Sequence, residues 1–401
     1  MTLIESCPLI ICTKDAPAQF RRLIASARHI GEGGCPALVI IDDSSSTDTR
    51  AFNKQTAESL FGARTLYVDA TNWPEIADAY VLPQLKRPEQ IDLVRAIRLG
   101  VPEWNTESTR NVGQLISVIF LKEYPLALNL DDDMIPPGGL FPLRLAQQRS
   151  LHGIKINGSP DYSRFEWVQH YVRCIAMRYG RPIPARPSLY VQAVMGCMDY
   201  RQIAGLLIKY SDFVCADAPD GSNGLHRFPQ RSEFISGGAY LSAVGNAAVS
   251  MFPGWYDEDW FWFDAVQRQM TAPADFLDVE ITHEPRHKKV LLRKFMEFEE
   301  RGRILTAVVR DAGGQAVSGE QVEEALRRRA AYIADELDFV EQIASVEMES
   351  VERKQVQAAR ERLLQLIEFL KAESGAAYVS QIANFTRRNQ LWTEVIALLA
   401  G

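Results

Sequence analysis

Short apolar runs alternate with stretches of helical periodicity through the first part of the chain. Pro8-Leu9-Ile10-Ile11-Cys12-Thr13, Ala37-Leu38-Val39-Ile40-Ile41 and Thr65-Leu66-Tyr67-Val68 are rich in β-branched or aromatic residues and short enough for strands. Lys14-Asp15-Ala16-Pro17 closes the first run, and Phe20, Leu23, Ile24 and Ala27 then recur at helical spacing. The glycines in Gly31-Glu32-Gly33-Gly34 precede a strand instead of following one, which makes them a helix C-terminal cap and not a dinucleotide loop. Trp73-Pro74 and Leu82-Pro83 punctuate helical pieces between Asn72 and Pro102. A further helix opens near Glu107, with Ser108 or Thr109 as its N-cap, and continues to about Glu123. Tyr124 to Leu128 is a buried strand, and Leu140 to Leu151 is expected to be helical. Two later strands are predicted, Phe234 to Ala243 and Phe276 to Thr282. This is the pattern of an α/β fold with a sheet flanked by helices.

The pattern then changes. From Ser318, where Ser318-Gly319-Glu320-Gln321 has capping-box form, Leu326, Ala330, Ile333, Leu337 and Val340 follow helical spacing. Val356, Leu363, Ile367 and Leu370 continue it in a second helix, and Arg327-Arg328-Arg329 reads as a solvated face. Residues 291–401 are therefore expected to be a helical accessory region, available for packing or for a homo-oligomer. Residues 1–290 are expected to form the catalytic part, with halves of about 1–137 and 138–290.

Composition narrows the function classes. The chain has 401 residues, 47% of them hydrophobic, and a formal net charge of -7, which argues against a broad footprint for nucleic acid. No run reaches the ~18 apolar residues of a membrane span, and Met1-Thr2-Leu3-Ile4-Glu5 lacks a basic n-region. None of the cysteines at 7, 12, 35, 174, 197 and 215 forms a CxxC pair, so they read as reduced, structural thiols of a cytoplasmic protein.

Candidate chemistry centres on Asn129-Leu130-Asp131-Asp132-Asp133, at the mouth of a strand and before the breaker Pro136-Pro137-Gly138-Gly139. In an extended segment Asp131 and Asp133 point the same way and Asp132 points elsewhere, a pair of hard oxygen ligands suited to Mn²⁺ or Mg²⁺. A second acidic loop, Asp42-Asp43-Ser44-Ser45-Ser46-Thr47-Asp48, follows the second strand. Carboxylates there bind a base or ribose, or else serve Asx turns and an N-cap. Arg110 and Asn111 fall in the first turn of their helix, where a diphosphate would offset the cation's clash with the macrodipole; the alternative is a solvated arginine. Gly237 and Gly238 interrupt a strand, as a bulge or to admit a close neighbour. Gly254 to Asp264 packs four acids among three tryptophans and two phenylalanines, as a sugar site with a partly desolvated base requires. His283 ends a strand ahead of the basic cluster around Arg286, either as a structural residue or as a metal ligand near a leaving diphosphate.

Taken in order, these blocks resemble the GT-A glycosyltransferases, especially their large inverting group, from Pro8 to about Lys289. The resemblance implies a metal-dependent enzyme that moves a sugar from a nucleotide-diphosphate sugar, a UDP-sugar foremost, to an acceptor the sequence does not identify. It implies that Thr13 touches the nucleoside, that Asp42 and Asp43 bind it, and that Arg110, Asn111, Asp131 and Asp132 serve the donor. Asp131, Asp133 and His283 would hold the metal; Glu258 and Asp259 would be the acidic catalytic pair, with Asp259 as base. Gly237, Gly238, Ala239, Trp255, Trp260 and Arg286 would line the substrate side. The glycine usual after the paired aspartates is missing here, and a shifted alignment would make Asp264 the base. Two alternatives stand beside this reading: a sugar-nucleotide nucleotidyltransferase, and a non-catalytic nucleotide-sugar-binding protein on the same fold.

Overall fold

The computed structural model describes residues 2–31, 35–102, 105–136, 141, 143–145, 151–158, 237–244, 250–255, 258–267, 275–283, 292–313, 315–344 and 350–401. The strands are β1 (Thr2–Ile4), β2 (Leu9–Thr13), β3 (Leu38–Asp42), β4 (Thr65–Asp69), β5 (Leu126–Asp131), β6 (Met134–Ile135), β7 (Leu143–Leu145), β8 (Leu151–Gly158), β9 (Ala239–Ala243) and β10 (Asp275–His283). The first helices are α1 (Pro17–Gly31), α2 (Thr47–Phe61), α3 (Trp73–Ile76), α4 (Pro88–Arg95) and α5 (Thr106–Phe120). Among the described residues the chain falls into two compact units. One comprises Met1–Gly158, Arg231–Arg286 and Ala383–Gly401; the other comprises Ser159–Gln230 and His287–Ile382.

The first unit is built on an eight-stranded mixed sheet in the order β4-β3-β2-β5-β9-β8-β10-β6. β4, β3, β2 and β5 run parallel, and β9 is antiparallel to both β5 and β8. Every residue of β3 is buried, as expected of a parallel strand covered on both faces. Phe20, Leu23, Ile24 and Ala27 of α1 bury the helical stripe the sequence shows, against Leu9, Ile11, Leu38 and Ile40 of the sheet.

The expected helix from Leu140 to Leu151 is not formed. Leu143 and Leu145 are buried and Arg144 between them is exposed, a period of two; this segment is β7 and pairs with β1. Leu151 already begins β8. Residues 140, 142 and 146–150 lie outside the described set. So do residues 181–187 and 217–224, where the sequence places a proline-rich loop and a second, polar one.

α5 opens one turn earlier than expected, with Asn105 before its first residue, so Arg110 and Asn111 sit inside the helix and not in its first turn. Almost the whole of α5 is buried. The segment Ser250–Phe252 lies against it, and much of that segment's backbone bonds to side chains instead of a strand. Asn111 donates from Nδ2 to Phe252 O at 3.1 Å and accepts Phe252 N–H at 2.9 Å. Gln114 and Trp262 both donate to Ser250 O, and Asn389 accepts Met251 N–H at 2.7 Å. Trp392, which is fully buried, donates from Nε1 to Gln114 Oε1 at 3.0 Å. Residues 383–401, the end of the Gly375–Ala400 helix, group with the first unit and not with the rest of 291–401.

The second unit is described over the helices Leu292–Ala312, Gly319–Ala344, Ser350–Ala372 and the start of Gly375–Ala400. The predicted capping box is present: Gln321 N–H donates to Ser318 Oγ, and Ser318 N–H to Gln321 Oε1 at 2.8 Å. Arg327 and Arg328 are exposed as expected, but Arg329 turns inward to bond the buried Glu300 carboxylate. No helix among the described residues is long and apolar enough to cross a membrane.

Asn111→Leu should leave the Phe252 N–H and C=O buried and unpaired, at ~1–3 kcal/mol for each group. Urea unfolding of the variant should show a clear loss of stability, and unchanged stability would remove Asn111 from this structural role.

Candidate active site

The parallel strands set the position of the site. From β2 the chain moves outward through β3 to β4, then returns to the other side of β2 as β5, so the strand order reverses between β2 and β5. The carboxyl ends of strands at such a switch point leave a crevice. Thr13 ends β2 there and Asp131 ends β5. Asp132 and Asp133 form the turn into β6.

Asp132 ties the two strand ends together. Its Oδ2 accepts from Thr13 Oγ1 at 2.7 Å and from Lys14 N–H at 3.0 Å, and both Thr13 and Asp132 are buried. The alternation expected of the three carboxylates holds for Asp132, which points inward, away from the crevice. Thr13 and Asp132, both expected to serve the donor, bond to each other here and brace the two strand ends.

Asp42 and Asp43 are both fully buried. Asp42 accepts from Ser44 N–H at 2.8 Å, from Asn53 Nδ2 at 2.8 Å and from the Tyr67 hydroxyl. This is an Asx turn joined to a buried network, and Ser46 caps α2. Asp43 accepts Gly100 N–H at 2.6 Å and Asn105 Nδ2 at 3.0 Å on Oδ1, and Lys14 Nζ at 2.5 Å on Oδ2. Burial raises its pKa, against the opposing pull of Lys14, Asn105 and the Gly100 amide. Gly100 holds φ +77°, and a Cβ there would stand 2.7 Å from Ala70 Cβ, so this bond to Asp43 requires glycine. Asp43 thus faces its own chain and offers no open edge to a base.

Arg110 is the centre of the crevice. Its Nη1 donates to Glu258 Oε1 at 2.8 Å and its Nη2 to Asp131 Oδ2 at 3.1 Å, while its guanidinium lies over the Phe252 ring. Nε is buried without a hydrogen-bond partner among the described residues. Burial by itself would lower the guanidinium's pKa; the carboxylates of Asp131, Glu258 and Asp259 overcome it, and the pKa is raised. Glu258, with a side chain only 6% exposed, has its pKa pushed up by burial against the pull of Arg110. Its carboxylate faces Arg110 from within the protein. Asp131 keeps 29% of its side chain accessible, and burial together with the nearby Asp133 charge raises it to about 6 despite Arg110.

Asp259 stands on the same guanidinium. Its Oδ2 accepts Gly237 N–H at 2.9 Å, and a Cβ on Gly237 would overlap the Arg110 guanidinium and come within 2.6 Å of Asp259 Cβ. Gly238 O accepts Asp131 N–H at 2.8 Å. The two glycines form a turn into β9, led by Ala239, which is buried. The absent side chain of Gly237 admits Arg110 and Asp259 of this chain, on the stretch Gly237, Gly238 and Ala239 that was expected to face an acceptor.

The aromatic density around the acids belongs to the core. Trp255 is 3% exposed and packs edge-on against Phe261 and Phe385, with centroids 5.3 and 5.0 Å away. Trp262 stacks on Phe252 at 4.8 Å. Trp255 therefore has no face open to a sugar, and Asn111, bonded twice to Phe252, has none for a donor. For Trp260, Asp264 and His283 only the backbone is described, and Arg286 lies outside the described residues. His283 pairs in register with Met134, next to Asp133. No group of three or more histidine, cysteine or acidic side chains among the described residues is arranged for a metal. The described thiols Cys7, Cys12 and Cys35 are free, with pKa values pushed by burial to about 12, 12 and 11, as structural cysteines have.

Sequence reasoning missed Lys14, Gly100 and Asn105, which surround Asp43. The positive φ at Gly100 had a signal in the Leu99-Gly100 break between helical pieces; the two side chains had none.

Removing the guanidinium leaves Glu258 buried without its counter-ion, so Arg110→Met should destabilise by about 3–5 kcal/mol. Adding Glu258→Gln should restore part of that loss in a double-mutant cycle read by denaturant unfolding. For Asp131, the folded-state pKa of about 6 lies above the ordinary 3.8, so the stability held by its neutral form is complete below that lower value and lost as pH rises through the upper one. The stability of the wild type relative to Asp131→Asn should therefore fall between about pH 4 and 6 and level off above.

No protein-family model matches the chain, and no curated protein matches it in sequence. Among solved structures it is similar to glucosyl-3-phosphoglycerate synthase from Mycobacterium tuberculosis. The complex of that enzyme with Mn²⁺ and UDP-glucose aligns at TM-score 0.37 and 12% identity, over 76% of this chain and 78% of that one. Its complex with phosphoglyceric acid aligns at TM-score 0.38 and 14% identity, over 76% and 79%.

Proposed function

We propose that the protein is a metal-dependent glycosyltransferase that uses a nucleotide-diphosphate sugar, a UDP-sugar foremost, and inverts the anomeric centre. One observation carries this reading. Asp131, at the end of β5, and Asp259, at the start of the Glu258–Gln267 helix, flank one buried guanidinium at the switch point of an α/β sheet. A carboxylate on each side of a crevice is what in-line displacement needs, one side for the leaving diphosphate and the other for the attacking hydroxyl.

The donor set suits Mn²⁺ or Mg²⁺. Asp131 and Asp133 supply hard oxygens, and their mutual repulsion, part of what raises Asp131, is relieved by a cation. His283 follows by its place in the backbone, beside Met134. A bound divalent ion would neutralise charge on the departing nucleoside diphosphate. Asp259 is held in place by the Gly237 amide and would take the acceptor's proton. Glu258 fixes Arg110, and Arg110 in turn orients Asp131. A nucleotidyltransferase would want a glycine-rich basic loop after its first parallel strand, and Lys14-Asp15-Ala16-Pro17 is not one.

UDP should raise the melting temperature strongly only with Mn²⁺ or Mg²⁺ present, through ligand linkage. Asp133→Ala should abolish the metal-dependent part, and an equal shift in wild type and variant would sink the metal assignment. Asp259→Asn should lower sugar transfer by ~10²–10⁴ with donor binding retained. Asp264, about 140° further round the helix, should tolerate the same change better. A severe loss at Asp264 instead would make it the base.

A further inference from the structure

One hydroxyl in the wall of the crevice is left over by the network around Arg110. Ala239 and Leu241 of β9 belong to the core that α1 covers, so Tyr240 between them turns to the opposite face of the sheet. That is the face of Cys12 on β2 and of Asn129 and Asp131 on β5. The Tyr240 ring packs on Trp262 with centroids 5.3 Å apart, and the residue is only 5% exposed. Its phenol end reaches the charged centre, where Arg110, Cys12, Asp131 and Asp259 all act on it. Buried tyrosine hydroxyls usually have a hydrogen-bond partner. This one has none among the described residues. Unlike Arg110 Nε, which is sealed off as well as unpartnered, the Tyr240 oxygen keeps contact with open space.

We propose that the Tyr240 hydroxyl donates a hydrogen bond to a hydroxyl of the sugar being transferred and so helps select that sugar. This deepens the glycosyltransferase reading above and rests on it. In that reading the sugar lies between the leaving diphosphate, on the Asp131 side, and the attacking hydroxyl, on the Asp259 side, and both carboxylates act on the phenol. A tyrosine is protonated at neutral pH. Burial raises the pKa of Tyr240 further, with Cys12, Asp131 and Asp259 adding to it against Arg110. The phenol is therefore a donor, standing beside ionised carboxylates that only accept. An alcohol satisfies both, since its oxygen accepts from the phenol and its proton goes to a carboxylate. A phosphate oxygen would meet the phenol and two negative charges with it. The attacking hydroxyl fits less well, because a hydrogen bond donated to it would draw electron density from the nucleophile. A site built to hydrogen-bond a hydroxyl rejects the analogue that lacks it, because its own polar group is left unpaired.

Tyr240→Phe removes the oxygen and keeps the ring on Trp262. Because that oxygen bonds nothing in the described chain, urea unfolding should give the variant the stability of the wild type, and a clear loss would mark the hydroxyl as structural and overturn the inference. Isothermal titration calorimetry with Mn²⁺ then compares UDP with UDP-glucose and UDP-galactose, and GDP with GDP-mannose. The variant should bind the bare diphosphates as the wild type does. It should bind the sugar nucleotide that the wild type holds about three- to tenfold more weakly, the worth of one hydrogen bond. Among monodeoxy forms of that sugar nucleotide, one should bind wild type and variant alike and so identify the hydroxyl. Unchanged affinity for the sugar nucleotide, or an equal loss for the bare diphosphate, would overturn the inference and leave the nucleotide-sugar reading standing. A wild type that binds a diphosphate and none of these sugar nucleotides would overturn it too. If no nucleotide binds the wild type, the reading itself fails, and the inference falls with it.

Discussion

A guanidinium buried between two carboxylates can be neither neutralised nor left alone, and the crevice is arranged around that constraint. Arg110 is effectively always charged, so burying it demands counter-ions at fixed places. Glu258 provides one from the helix that follows Trp255, and Asp131 provides the other from the end of β5. These segments are far apart in sequence, and Arg110 sets their separation. Gly237 is part of the same arrangement, since only a residue without a side chain passes between Arg110 and Asp259. Truncating one of these partners leaves a buried charge, so the cluster behaves as one object.

The strands were readable from the sequence because they follow from short-range pattern. β-branched runs ended by turn residues marked β2, β3 and β4 nearly to the residue, with carboxylates at the strand ends. The failures have a common physical origin. Leu143 and Leu145 fit a helical spacing as well as an alternating one, and only pairing with β1, far away in the chain, chooses between them. Asn105 precedes α5 where Ser108 looked the better cap, because Asn105 is drawn to Asp43 and the Arg98 carbonyl by tertiary contacts.

The aromatic block shows the limit most clearly. Tryptophan and phenylalanine beside acids describe a sugar platform and a core wall equally well in sequence. Trp255, Phe261 and Phe385 pack as a three-ring cluster, and Phe385 lies over a hundred residues away, where nothing local announces it. Asp42 and Asp43 are buried and bonded within the chain for the related reason that a carboxylate's accessibility is decided by its neighbours. Tyr67, Asn53, Lys14 and Gly100 each come from a different segment.

Gln114, one turn beyond Arg110, is bonded by Trp392, and the backbone of Met251 is bonded by Asn389. During synthesis the sheet strands emerge first, yet the helix carrying Arg110 lacks these partners until the ribosome has passed residue 392. Domains fold as units as they emerge, and exposed apolar surface invites aggregation in the interval. For this chain the interval spans more than a hundred residues after β10, the last strand of the sheet. The unit that carries the crevice is therefore completed only after the intervening helices have been made, and a chain cut short within the helical region would leave a sheet whose central helix lacked Trp392 and Asn389 to close against.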